Sequence, residues 1–137
     1  MRFLFFLFAV CLFYGCSDDH ERYMEIEVIH PQITAIEKAD ERLTFSSEFT
    51  NDTLHCTIQS IYVEKGAAIY GLEAHRRGQE LYINVSTTVS SADGFCLADT
   101  CFMPHEVTFD LVGLPHDTYE LDLWFNYASQ RLTINRD

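Results

Sequence analysis

The sequence predicts an all-β domain, built as a single antiparallel sandwich of about seven or eight strands in two sheets. Two observations carry this prediction. Turn residues recur roughly every ten positions along the chain, which is a spacing typical of sandwiches. The stretch 119–127 alternates apolar and polar residues at a strict period of two, as a half-buried strand does. Together these patterns favour a sandwich of immunoglobulin-like type.

The alternating segments place the strands in order. Met24, Ile26 and Val28 form the first, and His30-Pro31 is predicted to end it, because proline cannot donate to a ladder and restrains the residue before it. Residues 33–42 fit either one or two helical turns or a loop. The remaining strand segments are a hairpin over 42–64, then 68–75, 81–85 and a short closing strand at 132–134. Residues 90–104 are expected to form a loop.

The last long strands are predicted to form a hairpin. Residues 107–111 alternate as 119–127 do, and Gly113-Leu114-Pro115 supplies turn residues between them. In such a hairpin Asp110 would lie opposite either Glu120 or Asp122 on the outward face.

The N-terminus carries the three parts of a secretory signal: a positive charge at Arg2, an apolar run over 3–14, and small Gly15 at the cut. The run is shorter than the roughly 20 residues that span a bilayer. We therefore divide the chain into a removed signal peptide (1–15), a lipidated acidic tether (16–22) and a β-sandwich domain (23–137).

Residues 12–16, which read Leu-Phe-Tyr-Gly-Cys, resemble the lipobox of bacterial lipoproteins. The resemblance implies that Cys16 is acylated after cleavage, so that several acyl chains hold the protein on a membrane. Tyr14 departs from the small residue that is commoner at its position. The alternative is an ordinary signal peptide with a coincidental cysteine.

The acidic stretch after Cys16, Ser17-Asp18-Asp19, is similar to the export tag of surface lipoproteins from Bacteroidetes. That similarity implies an outer-membrane protein exposed on the cell surface. A periplasm-facing protein with a solvated tether is the alternative.

The charge of the chain excludes one class of partner. With 9 Lys and Arg against 21 Asp and Glu, the net charge is −12. Nucleic-acid phosphates repel such a domain, so nucleic acid is not an expected partner. Anionic lipid repels it too, which leaves the acyl anchor as the membrane attachment.

Three cysteines remain in the domain. We expect a disulfide between Cys96 and Cys101, because exported compartments are oxidising, and it would stabilise the fold by about 2–3 kcal/mol. Together with His105 these cysteines could instead supply three metal ligands. A zinc site needs a fourth ligand, which the sequence does not indicate, so no metal and no cofactor are expected. Cys56 shares a face with Leu54 and Ile58 and is expected to be buried, although a bridge from Cys56 to another cysteine stays open.

The outward positions of the last predicted hairpin form a candidate ligand face. Its members are Trp124 with Glu106, Asp110, Glu120 and Asp122. The indole would offer a flat apolar platform for a sugar ring, and the carboxylates would accept hydroxyl hydrogen bonds or hold a cation. The competing interpretation is a solvated acidic face without a ligand.

Part of the mature chain, about 50–127, is similar to small uncharacterised β-sandwich lipoproteins of Bacteroidetes. The motifs that carry this resemblance are Asn51-Asp52-Thr53-Leu54, Val107-Thr108-Phe109, Gly113-Leu114 and Tyr119-Glu120-Leu121. The resemblance implies a lipoprotein with a sandwich domain, and it implies no catalytic residue.

From these features we expect a non-catalytic binding or accessory module of the cell envelope, with carbohydrate or an envelope protein as its partner. No nucleophile elbow is present in the sequence, and the carboxylates are expected on an exposed face where nothing would favour a general acid. The alternatives are a small glycan hydrolase and a structural subunit of an envelope assembly.

Overall fold

The computed structural model describes residues 22–88 and 101–135, and in these ranges the chain forms nine β-strands and no α-helix. The strands are β1 (Met24–Glu25), β2 (Glu27–Ala35), β3 (Thr44–Thr50), β4 (Thr53–Glu64), β5 (Ala68–Arg77), β6 (Glu80–Thr88), β7 (Phe102–Val112), β8 (Tyr119–Phe125) and β9 (Ala128–Ile134). Two sheets pack against each other around one core, so the predicted all-β sandwich is confirmed.

The sheets differ in size and in pairing. Sheet A has five strands in the order β1-β5-β6-β8-β9, and sheet B has four in the order β2-β7-β4-β3. Within the described ranges every pair is antiparallel, as predicted, except β6 with β8, which is parallel. The exception arises because the chain leaves sheet A after β6, forms β7 in sheet B and then returns. Parallel neighbours require such a crossover.

The core lies between the sheets and is built from alternate residues of the central strands. Leu121 and Leu123 of β8 and Ile83 of β6 face inward from sheet A, and Phe109 of β7 and Ile58 of β4 face inward from sheet B. Each is almost completely buried, and burial of one such side chain stabilises the fold by about 1.5–3 kcal/mol. The opposite faces of these strands carry mainly polar residues and face the solvent. Because the inner faces are filled by the core, side chains that could contact a ligand lie on the outer faces.

The first long strand does not end at His30-Pro31, so that prediction is wrong. Strand β2 continues to Ala35 and accommodates the proline in an irregularity of the β2–β7 register between Ile29 and Gln32. The missing N–H of Pro31 is tolerated because β2 is an edge strand and the ladder is interrupted there. His30 takes a left-handed backbone conformation with φ of 53°. Residues 36–43 are irregular, so of the two alternatives for 33–42 the helix is not formed.

The last predicted hairpin is also wrong, because β7 lies in sheet B and β8 in sheet A. The segment between them crosses from one sheet to the other. Gly113 begins the crossing with φ of 75° and donates its N–H to the Asp52 carbonyl at 3.1 Å. Leu114, only 1% exposed, then enters the core. Buried apolar contact therefore outweighs the local preference of Gly113-Leu114-Pro115 for a tight turn.

Several sequence predictions fall outside the described residues. These are the signal peptide, lipidation of Cys16, nearly all of the acidic tether, the pairing of Cys96, and the predicted loop up to residue 100. The end of that predicted loop, 102–104, is instead the start of β7. Within 22–88 and 101–135 no helix is both long enough and apolar enough to cross a bilayer.

Candidate ligand face

The structure separates the five residues predicted to share one face. Trp124, Glu120 and Asp122 lie on the outer face of sheet A, whereas Asp110 and Glu106 lie on the outer face of sheet B. The single face predicted from the sequence is therefore wrong, because it assumed that β7 and β8 pair directly. What remains is a smaller surface on each side of the sandwich.

Trp124 is displayed on sheet A, as its place in the alternation predicts. Its neighbours along β8, Leu123 and Phe125, are buried, while the indole is 45% exposed. The strands on either side set Asn84 and Ser129 beside it. The indole is thus a half-exposed apolar ring framed by an amide and a hydroxyl.

An ion pair borders the tryptophan towards the start of β8. Two nitrogens of the Arg131 guanidinium donate hydrogen bonds to the Asp122 carboxylate, Nε to Oδ1 at 2.8 Å and Nη2 to Oδ2 at 3.0 Å. This contact raises the pKa of Arg131. Two parallel hydrogen bonds fix both groups in one plane, so the rim beside the indole presents ordered N–H donors.

Glu120, the third predicted residue of this face, is also engaged. The Thr133 hydroxyl donates to its carboxylate at 3.0 Å. Glu120 stands beside Glu80 across the parallel β6–β8 pair, and Arg77 binds that second carboxylate at 2.6 Å. The carboxylates of sheet A are therefore distributed among separate partners and do not converge on one point.

The surface around Trp124 is net acidic. Its outward positions include Glu73, Glu80, Glu120 and Asp122 against the cations Arg77 and Arg131, which both pair with carboxylates of the same face. A face of this charge disfavours phosphate, sulfate and uronate groups. Neutral ligands and ligands with a positive charge remain compatible with it.

On sheet B the structure brings together a cluster that the sequence did not predict. His30 Nδ1 lies 3.0 Å from Asp110 Oδ2, and His55 Nδ1 lies 2.6 Å from Asp110 Oδ1. These hydrogen bonds hold the pKa of Asp110 below its ordinary value. We call His30, His55 and Asp110 the histidine cluster. No sequence signal could have located it, because it depends on β2, β7 and β4 lying side by side.

Glu106, predicted to share a face with Trp124, lies four residues before Asp110 on β7. It accepts a hydrogen bond of 2.8 Å from the side-chain amide of Gln59 on β4. In the described part of the chain, no three His, Cys, Asp or Glu side chains are arranged to hold a metal ion.

Cys56 is a buried free thiol in the core, which confirms that it is a small buried residue and rules out a bridge from it. Burial raises its pKa, and its Sγ lies 3.7 Å from the Leu54 carbonyl oxygen. His105 is also buried, with Nδ1 at 2.9 Å from the Met103 carbonyl oxygen. The Cys96–Cys101 bridge stays a prediction.

Comparison of the chain with protein-family models, with curated proteins and with solved structures finds no match.

Proposed function

We propose that this protein is a lipid-anchored module of the cell envelope that binds a ligand without transforming it. Its ligand face is the outer face of sheet A around Trp124. The observation that carries the proposal is the exposure of this indole, at 45%, in the middle of a sheet face where the alternation places polar side chains. A large apolar ring held in water on a rigid strand lowers the solubility of a domain without stabilising its core.

The chemistry around the indole favours a neutral glycan. An aromatic ring can cover the C–H face of a sugar, while Asn84 and Ser129 supply hydrogen-bonding groups beside it. The Arg131 guanidinium is held in place by Asp122, and its N–H groups that do not bind Asp122 are further donors beside the indole. The negative charge of the face excludes strongly anionic polysaccharides from the preferred ligands.

The proposed attachment is through Cys16, whose thiol and new amino terminus would carry acyl chains. Residues 12–16 and the acidic stretch that follows support this proposal, and they support placing the domain at the outer membrane, on the cell surface. A tethered domain of this kind would hold glycan close to the membrane. The similarity to small sandwich lipoproteins of Bacteroidetes agrees with the same placement.

A glycan hydrolase is the weaker alternative for this face. Glycoside hydrolysis needs two carboxylates flanking one bond, with one of them kept protonated. Asp122 faces the permanent charge of Arg131, and Glu120 accepts a hydrogen bond from Thr133. Both carboxylates are held in fixed structural contacts, which suits binding better than catalysis.

The test is a panel of neutral, cationic and anionic polysaccharides, with full-length protein in detergent. Retention without release of sugar products supports a binding module, and product release would make the protein a hydrolase. Trp124→Ala is expected to lose retention. Phe102→Ala, which removes an exposed aromatic ring from sheet B, is the matched control and should retain the glycan as the unaltered protein does.

A further inference from the structure

The histidine cluster joins three neighbouring strands of sheet B. His30 belongs to β2, Asp110 to β7 and His55 to β4, and each oxygen of the Asp110 carboxylate faces one imidazole nitrogen. The Asp110 side chain is 20% exposed, so the carboxylate is partly shielded from solvent. The cluster is on the opposite side of the sandwich from Trp124, and nothing in the proposed ligand face uses it.

The cluster lies where the backbone attachment of β2 is weakest. Strand β2 is an edge strand paired with β7 alone, and its register with β7 shifts between Ile29 and Gln32. His30 lies inside that irregularity, in a left-handed conformation that non-glycine residues seldom adopt. Bulges re-aim side chains, and this one directs His30 onto Asp110. The His30–Asp110 contact thus joins β2 to β7 at the point where the backbone pairing of the two strands is interrupted.

The two histidines are the only groups on the four described strands of sheet B near the cluster that can carry positive charge. Strands β2, β3, β4 and β7, all within the described residues, contain no lysine or arginine. The charged groups that face outward on the neighbouring strands are also carboxylates: Glu27 on β2 and Glu48 on β3, with Glu106 four residues away along β7. Glu48 lies directly across from His55. A positive charge on either imidazole is therefore attracted by carboxylates on more than one strand.

We propose that the histidine cluster is a proton-operated clasp, in which charge on His30 fastens edge strand β2 more firmly to Asp110 on β7. A neutral imidazole can donate Nδ1–H to the Asp110 carboxylate, and a charged imidazole adds the attraction of an ion pair to that hydrogen bond. Histidine ordinarily changes charge between pH 5 and 8. The Asp110 carboxylate persists through that range, because its hydrogen bonds favour the ionised form.

Amide hydrogen exchange on the full-length protein in detergent tests the clasp. Protection factors, in which the intrinsic pH dependence of exchange has been divided out, are measured for β2 between pH 8 and pH 5. We expect them to rise by roughly 1.5- to fivefold as the pH falls. The protection factors of the amides of β9, the edge strand of sheet A, should not change over this pH range. Protection factors of β2 that are the same at pH 8 and pH 5 would overturn the proposal.

Two variants locate the effect. His30→Asn keeps a residue that tolerates the left-handed conformation but cannot be charged, and Asp110→Asn removes the shared acceptor charge. Both should flatten the pH dependence of β2 protection, whereas His75→Gln on sheet A should leave it intact. Persistence of the rise in either cluster variant would contradict the clasp.

An NMR titration of the unaltered protein provides a test that needs no variant. The midpoint of the rise in β2 protection must coincide with the titration of the His30 imidazole. A rise that instead follows another titrating group would refute the assignment.

Discussion

The phenolic hydroxyl of Tyr119 donates a hydrogen bond of 2.6 Å to the backbone carbonyl of Pro115, four residues earlier. Tyr119 is the first residue of β8, and Pro115 lies in the segment that carries the chain from sheet B to sheet A. A tyrosine that bonds back to the backbone upstream is the corner arrangement of Greek-key sandwiches. It holds the crossing segment against the start of β8, the strand that displays Trp124.

Tyr119→Phe should therefore destabilise the fold by about 1 kcal/mol, because it removes the hydroxyl that bonds Pro115 and contacts Arg76 while leaving the packing of the ring unchanged. Burial raises the pKa of the Tyr119 phenol, so the hydroxyl is a donor at neutral pH. Urea unfolding measures the change. Tyr127→Phe, at a fully exposed side chain, is the control and should be neutral. Equal stability of the two variants would show that the corner contributes nothing.

Leu114→Ala tests whether the crossing segment belongs to the core. The side chain is 1% exposed, and removal of a leucine from such a site costs about 2–5 kcal/mol. The free energy of unfolding should fall by that amount. A change below about 1 kcal/mol would mean that Leu114 is not packed, and that the segment is an ordinary surface turn.

Cys56 should be chemically silent in the folded protein. Its thiol is buried and burial raises its pKa, so both access and thiolate formation are disfavoured. A maleimide or disulfide reagent at neutral pH is expected to label Cys56 only after denaturation, which peptide mass spectrometry can read out. Rapid modification of Cys56 in the native protein would contradict its placement in the core.

Asp110 should make stability sensitive to strong acid. Its pKa is lowered in the fold, chiefly by the hydrogen bonds from His30 and His55. The stabilisation that this lowering reflects is therefore present above the ordinary aspartate pKa and is lost as the pH falls below about 4 through the lowered value. Given partial exposure, the loss is about 0.5–1 kcal/mol. Asp110→Asn should be less stable than the unaltered protein at pH 6, with the difference shrinking towards pH 2.

Trp124→Ala should cost little stability, under about 1 kcal/mol, because the indole is half exposed and its strand is anchored by Leu123 and Phe125. Thermal unfolding monitored by circular dichroism measures it. A loss of several kcal/mol would show that the indole is a structural residue and would remove the basis of the proposed ligand face.

The sequence predicted what depends on neighbouring residues. Alternation in 119–127 identified β8 and the outward direction of Trp124, because the side-chain period of a strand is local. The same reasoning placed Cys56 with Leu54 inside the sandwich. These features need no knowledge of which strand lies beside which.

What the sequence could not predict depends on pairing between distant segments. Residues 113–117 carry turn signals, yet burial of Leu114 and the Tyr119 corner send β8 to the other sheet. Asp110 was therefore separated from Asp122, and it joined His30 and His55 instead. The prediction that Pro31 ends the first strand was wrong for a similar reason. An edge strand with a bulge can accommodate a proline that a central strand could not.

The most direct test of the proposed ligand face uses intrinsic fluorescence, because Trp124 is the only tryptophan in the chain. A glycan retained by the protein should be titrated against it while the indole emission is recorded. The ligand-face account predicts a saturable change in intensity or wavelength at the concentrations that give retention. Retention that leaves the emission unchanged, and that survives Trp124→Ala, would contradict it.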